Sequence, residues 1–160
     1  MFKPLLTLAV LAAAFAAAQT HAAGQKLEAN DVVQGMGERV PAGKKNVSLS
    51  PLFKVYTFEK SGLKFAQINS SKDEVITVLA ITPGAESRLP IGLAAEEQLI
   101  AVNDEKDRPL GMVTAAASCP CSATVVYQDA NQMIVVVYGS NGEYITSYVL
   151  PRTKAPSAPQ

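Results

Sequence analysis

Histidine is almost absent from this sequence, and its one copy lies in a segment that we expect to be removed. The chain of 160 residues contains a single histidine, His21. A secreted form that begins after this residue has no imidazole. Such a chain cannot build a Ser-His-Asp or Cys-His catalytic set. Histidine-ligated Zn or Cu(II) sites and a histidine pH switch are excluded for the same reason.

The sequence also has no excess of positive charge and only two cysteines. Lys and Arg total 14, Asp and Glu also total 14, and the formal net charge is zero. Neutralising many phosphates requires an excess of Lys and Arg, so we expect no nucleic-acid partner. The two cysteines are too few for a disulfide-dense miniprotein, and 48% apolar composition excludes a disordered chain or a collagen. The length fits one globular domain.

The sequence has no apolar run long enough for a transmembrane helix. Lys3 precedes an uncharged, Ala- and Leu-rich stretch at residues 5–18, and small residues follow. This pattern is typical of a bacterial signal peptide. We expect cleavage after Ala22, with Ala18 as the alternative. A bacterial lipoprotein carries its lipid on a cysteine directly after the cleavage site, and this sequence has no cysteine there. We therefore predict a periplasmic or secreted protein without a membrane span or lipid anchor.

Composition divides the chain into four parts. Residues 1–22 form the signal peptide. Residues 23–51 are polar and rich in Gly and Pro, which predicts an irregular segment. Residues 52–150 are the β-rich domain. Residues 151–160 contain several prolines and no large apolar side chain after the first proline, which predicts a disordered tail.

Within the β-rich domain the apolar pattern has a period of two residues. It predicts strands at residues 53–59, 63–69, 74–82, 122–129, 132–138 and 143–150. The run at residues 133–138 is apolar without alternation, as in a central strand that is covered on both faces. In the last strand, alternation predicts one face with Tyr144, Thr146, Tyr148 and Leu150 and the other with Ile145, Ser147 and Val149.

The predicted fold class is mainly β, as a single antiparallel sandwich or a partly open barrel of six to eight strands. Residues 85–118 have the weakest pattern. For residues 93–102 we favour a strand with a helical turn, and residues 110–117 are a further candidate strand. Residues 71–77 resemble residues 140–146 at a constant offset. We favour two unrelated three-stranded meanders, and two related meanders that arose by duplication are the alternative.

The motif Cys119-Pro120-Cys121 is the main candidate for chemistry. Pro120 favours an extended backbone, so both sulfurs project from one face. In an oxidising compartment the expected state is a disulfide between Cys119 and Cys121. The alternatives are a redox-active thiol pair and a Cu(I) site with a thioether from Met112 or Met133. A zinc site is weaker because it needs two further ligands.

Other features predict surface or core positions. The charged loop at residues 103–108 lacks the glycine and ligand spacing of a calcium site. Glu96 and Glu97 would point to opposite faces of a strand, so they make a poor hydrolytic pair. Most strand aromatics are predicted to pack in the core or on a sheet face: Tyr56, Phe58, Phe65, Tyr127, Tyr144 and Tyr148.

These observations favour an exported, soluble protein that works by binding a protein or cell-envelope component, without a cofactor. It would be an envelope-assembly accessory, or an inhibitor that presents a loop or a sheet edge. The alternative is a periplasmic thiol-redox or Cu(I)-handling protein that uses Cys119 and Cys121. A carboxylate-dependent glycan hydrolase is a third class, but no spaced pair of acids supports it.

Overall fold

The computed structural model describes residues 33–102 and 120–152, and these residues fall within one compact unit. They form two four-stranded sheets that do not close into a barrel. The strands are β1 (Phe53–Lys60), β2 (Leu63–Ser70), β3 (Val75–Ala80), β4 (Ser87–Leu89), β5 (Ile100–Ala101), β6 (Ser122–Gln128), β7 (Gln132–Tyr138) and β8 (Tyr144–Pro151). The described part of the chain has no helix of the length and apolarity that crossing a bilayer demands.

The sheet topology confirms the mainly β prediction. The first sheet has the order β1-β2-β3-β4 and the second the order β5-β8-β7-β6. All pairs are antiparallel except β5 with β8, which is parallel. The pairing is thus mostly antiparallel, with one parallel pair at the edge of the second sheet. A parallel pair needs a long connection, and the many residues between β5 and β8 provide it.

The first hairpin follows from its turn residues. Lys60 pairs with Leu63 across a two-residue loop, and both loop residues have positive φ, 51° at Ser61 and 77° at Gly62. This is the type I′ geometry, whose twist matches that of the two strands. The strands predicted at residues 53–59 and 63–69 are confirmed as β1 and β2.

The main core lies between the two sheets. Val55 and Ile68 from the first sheet and Ile134, Val136 and Val149 from the second are each at most 2% exposed and belong to one apolar cluster. The strand β7 is an inner strand of its sheet, and residues from both of its faces are buried. The central-strand prediction for residues 133–138 is confirmed. Four of the six strand aromatics are buried, as predicted: Tyr56, Phe58, Phe65 and Tyr127.

A second apolar cluster forms on the outer face of the first sheet. Phe58 and Phe65 are buried there, and Val33 and Met36 from the N-terminal segment pack on the cluster. Gln67, which is fully buried, holds that segment in place. Its Oε1 accepts from Gly37 N at 2.7 Å, and its Nε2 donates to Glu38 O at 2.8 Å. The turns of the N-terminal segment thereby cover a sheet face that would otherwise be exposed.

Of two local predictions in the second half, one is confirmed in part and the other was wrong. Residues 93–102, predicted as a strand with a helical turn, form hydrogen-bonded turns at residues 93–97 and a strand only at Ile100–Ala101, which is β5. In β8, Tyr138 pairs with Tyr144 while Val137 pairs with Thr146, so one residue of β8 is bulged. A bulge inserts one residue and reverses the alternation beyond it. Tyr144 therefore lies beside Ser147 and not on the face predicted for it.

Candidate binding cleft

Two clefts open at opposite ends of the fold. The first, of about 370 Å³, lies where β1 and β8 begin, and we call it the leucine cleft. Its floor contains Phe53, Ile76 and Ala94, and Leu52 and Leu93 lie at its rim. The second, of about 400 Å³, lies at the β1–β2 and β6–β7 turns, and we call it the lysine cleft.

Gly92 fixes the loop that forms one wall of the leucine cleft. Its φ is +95°, and a Cβ at this position would lie 2.6 Å from the carbonyl oxygen of Ile76 in β3. This close approach allows Leu93 N to donate to Val75 O at 3.0 Å and Ala94 N to donate to Ile76 O at 2.8 Å. Only glycine combines this φ with so close an approach to backbone. The loop is therefore attached to β3 by its own backbone.

The attached loop sends neighbouring side chains in opposite directions. Ala94 enters the main core and is 6% exposed, whereas Leu93 is 79% exposed. Leu93 is the most exposed large apolar side chain among residues 33–102 and 120–152. Leu52, at 38% exposure, lines the same cleft. The cleft thus has an apolar floor and two exposed leucines whose backbone is held in place.

Three carboxylates also line the leucine cleft, and each comes from a different turn. Glu74 accepts from Ser70 Oγ at 3.4 Å, and Glu143 accepts from Asn141 N at 3.0 Å. The third, Glu97, is about half exposed and lies 3.9 Å from a guanidinium nitrogen of Arg88. Within the described ranges, no Lys or Arg forms an ion pair with either of the other two.

Arg88 supports this end of the fold from the interior. Its side chain is only 3% exposed. Nη1 donates to Thr77 Oγ1 at 2.7 Å and to Tyr144 OH at 3.0 Å, and Nη2 donates to Ser147 Oγ at 3.4 Å. These contacts join β4 and β3 of the first sheet to β8 of the second. A buried cation is therefore held by hydroxyl groups and by the distant, half-exposed carboxylate of Glu97.

Tyr144 connects this buried cation with the leucine cleft, which it lines. Burial raises the pKa of the Tyr144 phenol above its ordinary value, although hydrogen bonds with Ser147 and Arg88 act in the opposite direction. The phenol is therefore protonated at neutral pH, with its oxygen 2.9 Å from Ser147 Oγ. Tyr144 serves as a neutral hydrogen-bonding wall of the cleft.

The lysine cleft contains an ion pair that is already satisfied. Lys64 Nζ lies 2.9 Å from Asp129 Oδ2, and Tyr127 OH lies 3.2 Å from the same oxygen. Burial opposes both charges. Hydrogen bonds nevertheless raise the pKa of Lys64 and lower the pKa of Asp129. Lys64 is thus held protonated and Asp129 ionised, so neither is adapted to transfer a proton near neutral pH.

Comparison with known proteins gives this chain no family. No protein-family model, no curated protein and no solved structure matches it. We therefore infer the function from the geometry and charge of the leucine cleft and the lysine cleft.

The structure describes only part of the predicted cysteine site. Cys121 lies just before β6, whereas Cys119 and Met112 lie outside the described residues. The disulfide, thiol-redox and Cu(I) hypotheses therefore stay predictions. Met133 pairs with Gln128 at the far end of β6, about 20 Å along the strand from Cys121. The described part of the chain contains no group of three or more His, Cys, Asp or Glu that could hold a metal ion.

The sequence pattern predicted no cleft from the residues that form it. It favours surface charge for Glu97, and the charged loop at residues 103–108 lies outside the described residues. No site role was predicted for Gly92, Leu93 or Arg88. The one sequence signal was the glycine, because an isolated glycine beside a strand indicates close backbone approach. Nothing in the local pattern indicated that Arg88 would be buried.

The ion pair in the lysine cleft gives a testable prediction. Asp129→Asn retains the acceptor for the turn amides of Asn131 and Gln132 but removes the charge that faces Lys64. We expect a loss of about 1 kcal/mol in the free energy of unfolding at pH 7, since the pair is partly exposed. The lowered pKa of Asp129 means that its contribution is present above its unfolded pKa near 3.8 and is lost as pH falls below it.

Urea unfolding of the wild type and Asp129→Asn at pH 7 and at successively lower pH checks this prediction. The difference between the two proteins should shrink as the wild-type carboxyl becomes protonated. Lys64→Met completes a double-mutant cycle and isolates the energy of the pair. A difference that stays constant at acid pH would contradict the assignment.

Proposed function

We propose that this is an exported protein without catalytic chemistry that binds another protein through the leucine cleft. The observation that carries this proposal is Leu93, which is 79% exposed on a loop that Gly92 attaches to β3. An apolar side chain whose backbone is already ordered loses little conformational freedom on binding. An apolar centre inside a polar rim is also the common arrangement of protein interfaces.

The charged groups support binding over catalysis. Tyr144 stays neutral at this cleft, and the Lys64–Asp129 pair at the other end is held fully charged. The sequence also lacks a histidine after residue 21 that could act as a base near neutral pH. The apolar surface of the leucine cleft therefore supports binding more directly than either cleft supports catalysis.

Export is supported by the N-terminal pattern of Lys3 and the apolar stretch that follows it. The periplasm and the external medium are oxidising, and we propose that Cys119 and Cys121 form a disulfide there. It would shape the entry to β6 and would not take part in binding at the leucine cleft. The partner would then be another protein of the periplasm or the external medium.

The test is a photo-activated crosslinking residue at position 93, compared with the same residue at position 63, in cells that produce the protein. Leu63 is 40% exposed and lines the lysine cleft, so it is a matched control. We expect a discrete adduct from position 93 that is absent from position 63 and is lost with Leu52→Asp. The purified adduct partner should bind the Leu93→Ser protein at least about tenfold more weakly than the wild type. Equal adducts at both positions, or none at position 93, would contradict the proposal.

A further inference from the structure

We infer that the leucine cleft takes a basic segment of its partner, in which an apolar side chain is flanked by Lys or Arg. This inference rests on the proposed function and adds the chemistry of the partner. It follows from the charge around the cleft: Glu74, Glu97 and Glu143 line an apolar floor, and the lining residues that the structure describes include no Lys or Arg. Opposite charges at an interface rim guide the encounter and select the partner.

The positions of the carboxylates match an extended chain better than a single ion. Glu74 follows β2, Glu97 lies in the loop after β4, and Glu143 precedes β8. They surround the exposed leucines from three elements. Within the described ranges, no three acidic residues come close enough together to hold a metal ion. Separated carboxylates around an apolar floor suit a peptide whose cations are spaced along its length.

The carboxylates are also held in place before binding. A backbone amide fixes Glu143, and the hydroxyl of Ser70 contacts Glu74. Among residues 33–102 and 120–152, Glu97 forms an ion pair only with Arg88, at 3.9 Å, whose other guanidinium contacts are to hydroxyl groups. The negative charge of the cleft is thus only partly offset from within. The lysine cleft differs, because its partly exposed cation and carboxylate neutralise each other at 2.9 Å.

The experiment selects random displayed peptides on the wild-type protein after removing those that bind Leu93→Ser. We expect the retained peptides to carry Lys or Arg beside Leu, Ile or Phe. A synthetic peptide of the consensus sequence is then titrated by fluorescence anisotropy. The double variant Glu74→Gln with Glu143→Gln should bind it about fivefold more weakly at low salt, and high salt should remove most of that difference.

Matched variants at the opposite end provide the control. Glu59 lines the lysine cleft and Glu86 lines a smaller cleft beside it, so Glu59→Gln with Glu86→Gln removes the same charge and should leave peptide affinity unchanged. Because Leu93 is 79% exposed, Leu93→Ser should keep the wild-type free energy of unfolding, which separates lost binding from lost folding.

The possible results of the peptide selection distinguish a failure of this inference from a failure of the proposed function. Peptides that depend on Leu93 but lack basic residues would overturn this inference and leave the proposed function standing. If no peptide depends on Leu93, both fail. Self-association of the wild type that Leu93→Ser abolishes would show a second copy as the occupant and would also overturn the inference.

Discussion

Gly92→Ala is expected to lower the free energy of unfolding by about 3 kcal/mol. The new Cβ would lie 2.6 Å from the carbonyl oxygen of Ile76, and alanine is strained at a φ of +95°. Relieving the contact requires the loop to move away from β3. That movement breaks the hydrogen bonds from Leu93 N and Ala94 N and withdraws Ala94 from the core.

Gly62→Ala is the matched control for this prediction. Gly62 also has a positive φ, +77°, but a Cβ there meets no atom within 4 Å. Its cost should be the backbone strain alone, about 1 kcal/mol. Chemical unfolding measures both variants, and hydrogen exchange should show faster exchange of the Leu93 and Ala94 amides in Gly92→Ala. Equal losses in the two variants would contradict the close approach to β3.

The second large effect is expected at Arg88. Arg88→Ala should lower the free energy of unfolding by about 3 kcal/mol, since it leaves a cavity and removes the donor to the buried Thr77 hydroxyl. Tyr144 and Ser147 lose the same cation but keep each other as partners at 2.9 Å. The hydrogen bonds that Arg88 makes from β4 to β8 would then be absent.

Arg88→Met separates packing from charge. Methionine fills much of the same space and removes the cost of burying a cation, so it should recover at least about half of the loss caused by alanine. Urea unfolding of the two variants measures the difference. If methionine were as destabilising as alanine, the hydrogen bonds of the guanidinium would outweigh the cost of burying it. A small effect of alanine would contradict the placement of Arg88 between the sheets.

These two residues also connect stability with the proposed binding surface. Gly92 positions Leu93, and Arg88 contacts both Tyr144 and Glu97, which line the leucine cleft. A variant at either position should therefore weaken binding through a displaced cleft. The exposed Leu93→Ser should weaken binding without destabilising the fold, so the two kinds of variant distinguish positioning from contact.

The sequence alone determined the elements whose signals are local. A period of two marked β1, β2, β3, β6 and β8, and the unbroken apolar run at residues 133–138 identified β7 as an inner strand. Ser61 and Gly62 gave the first hairpin. Strand formation in these segments depends on which face of the same short segment is apolar, and that information is contained in neighbouring residues.

The tertiary structure alone decided the features that join distant segments. The parallel pair of β5 with β8 and the burial of Arg88 each depend on a partner far along the chain. The bulge that turns Tyr144 toward Ser147 depends on how β8 pairs with β7. The leucine cleft likewise collects Leu52, Leu93 and three carboxylates from separate turns. A periodic pattern in the sequence cannot predict these contacts. They follow from how the two sheets pack and not from the conformational preference of any one segment.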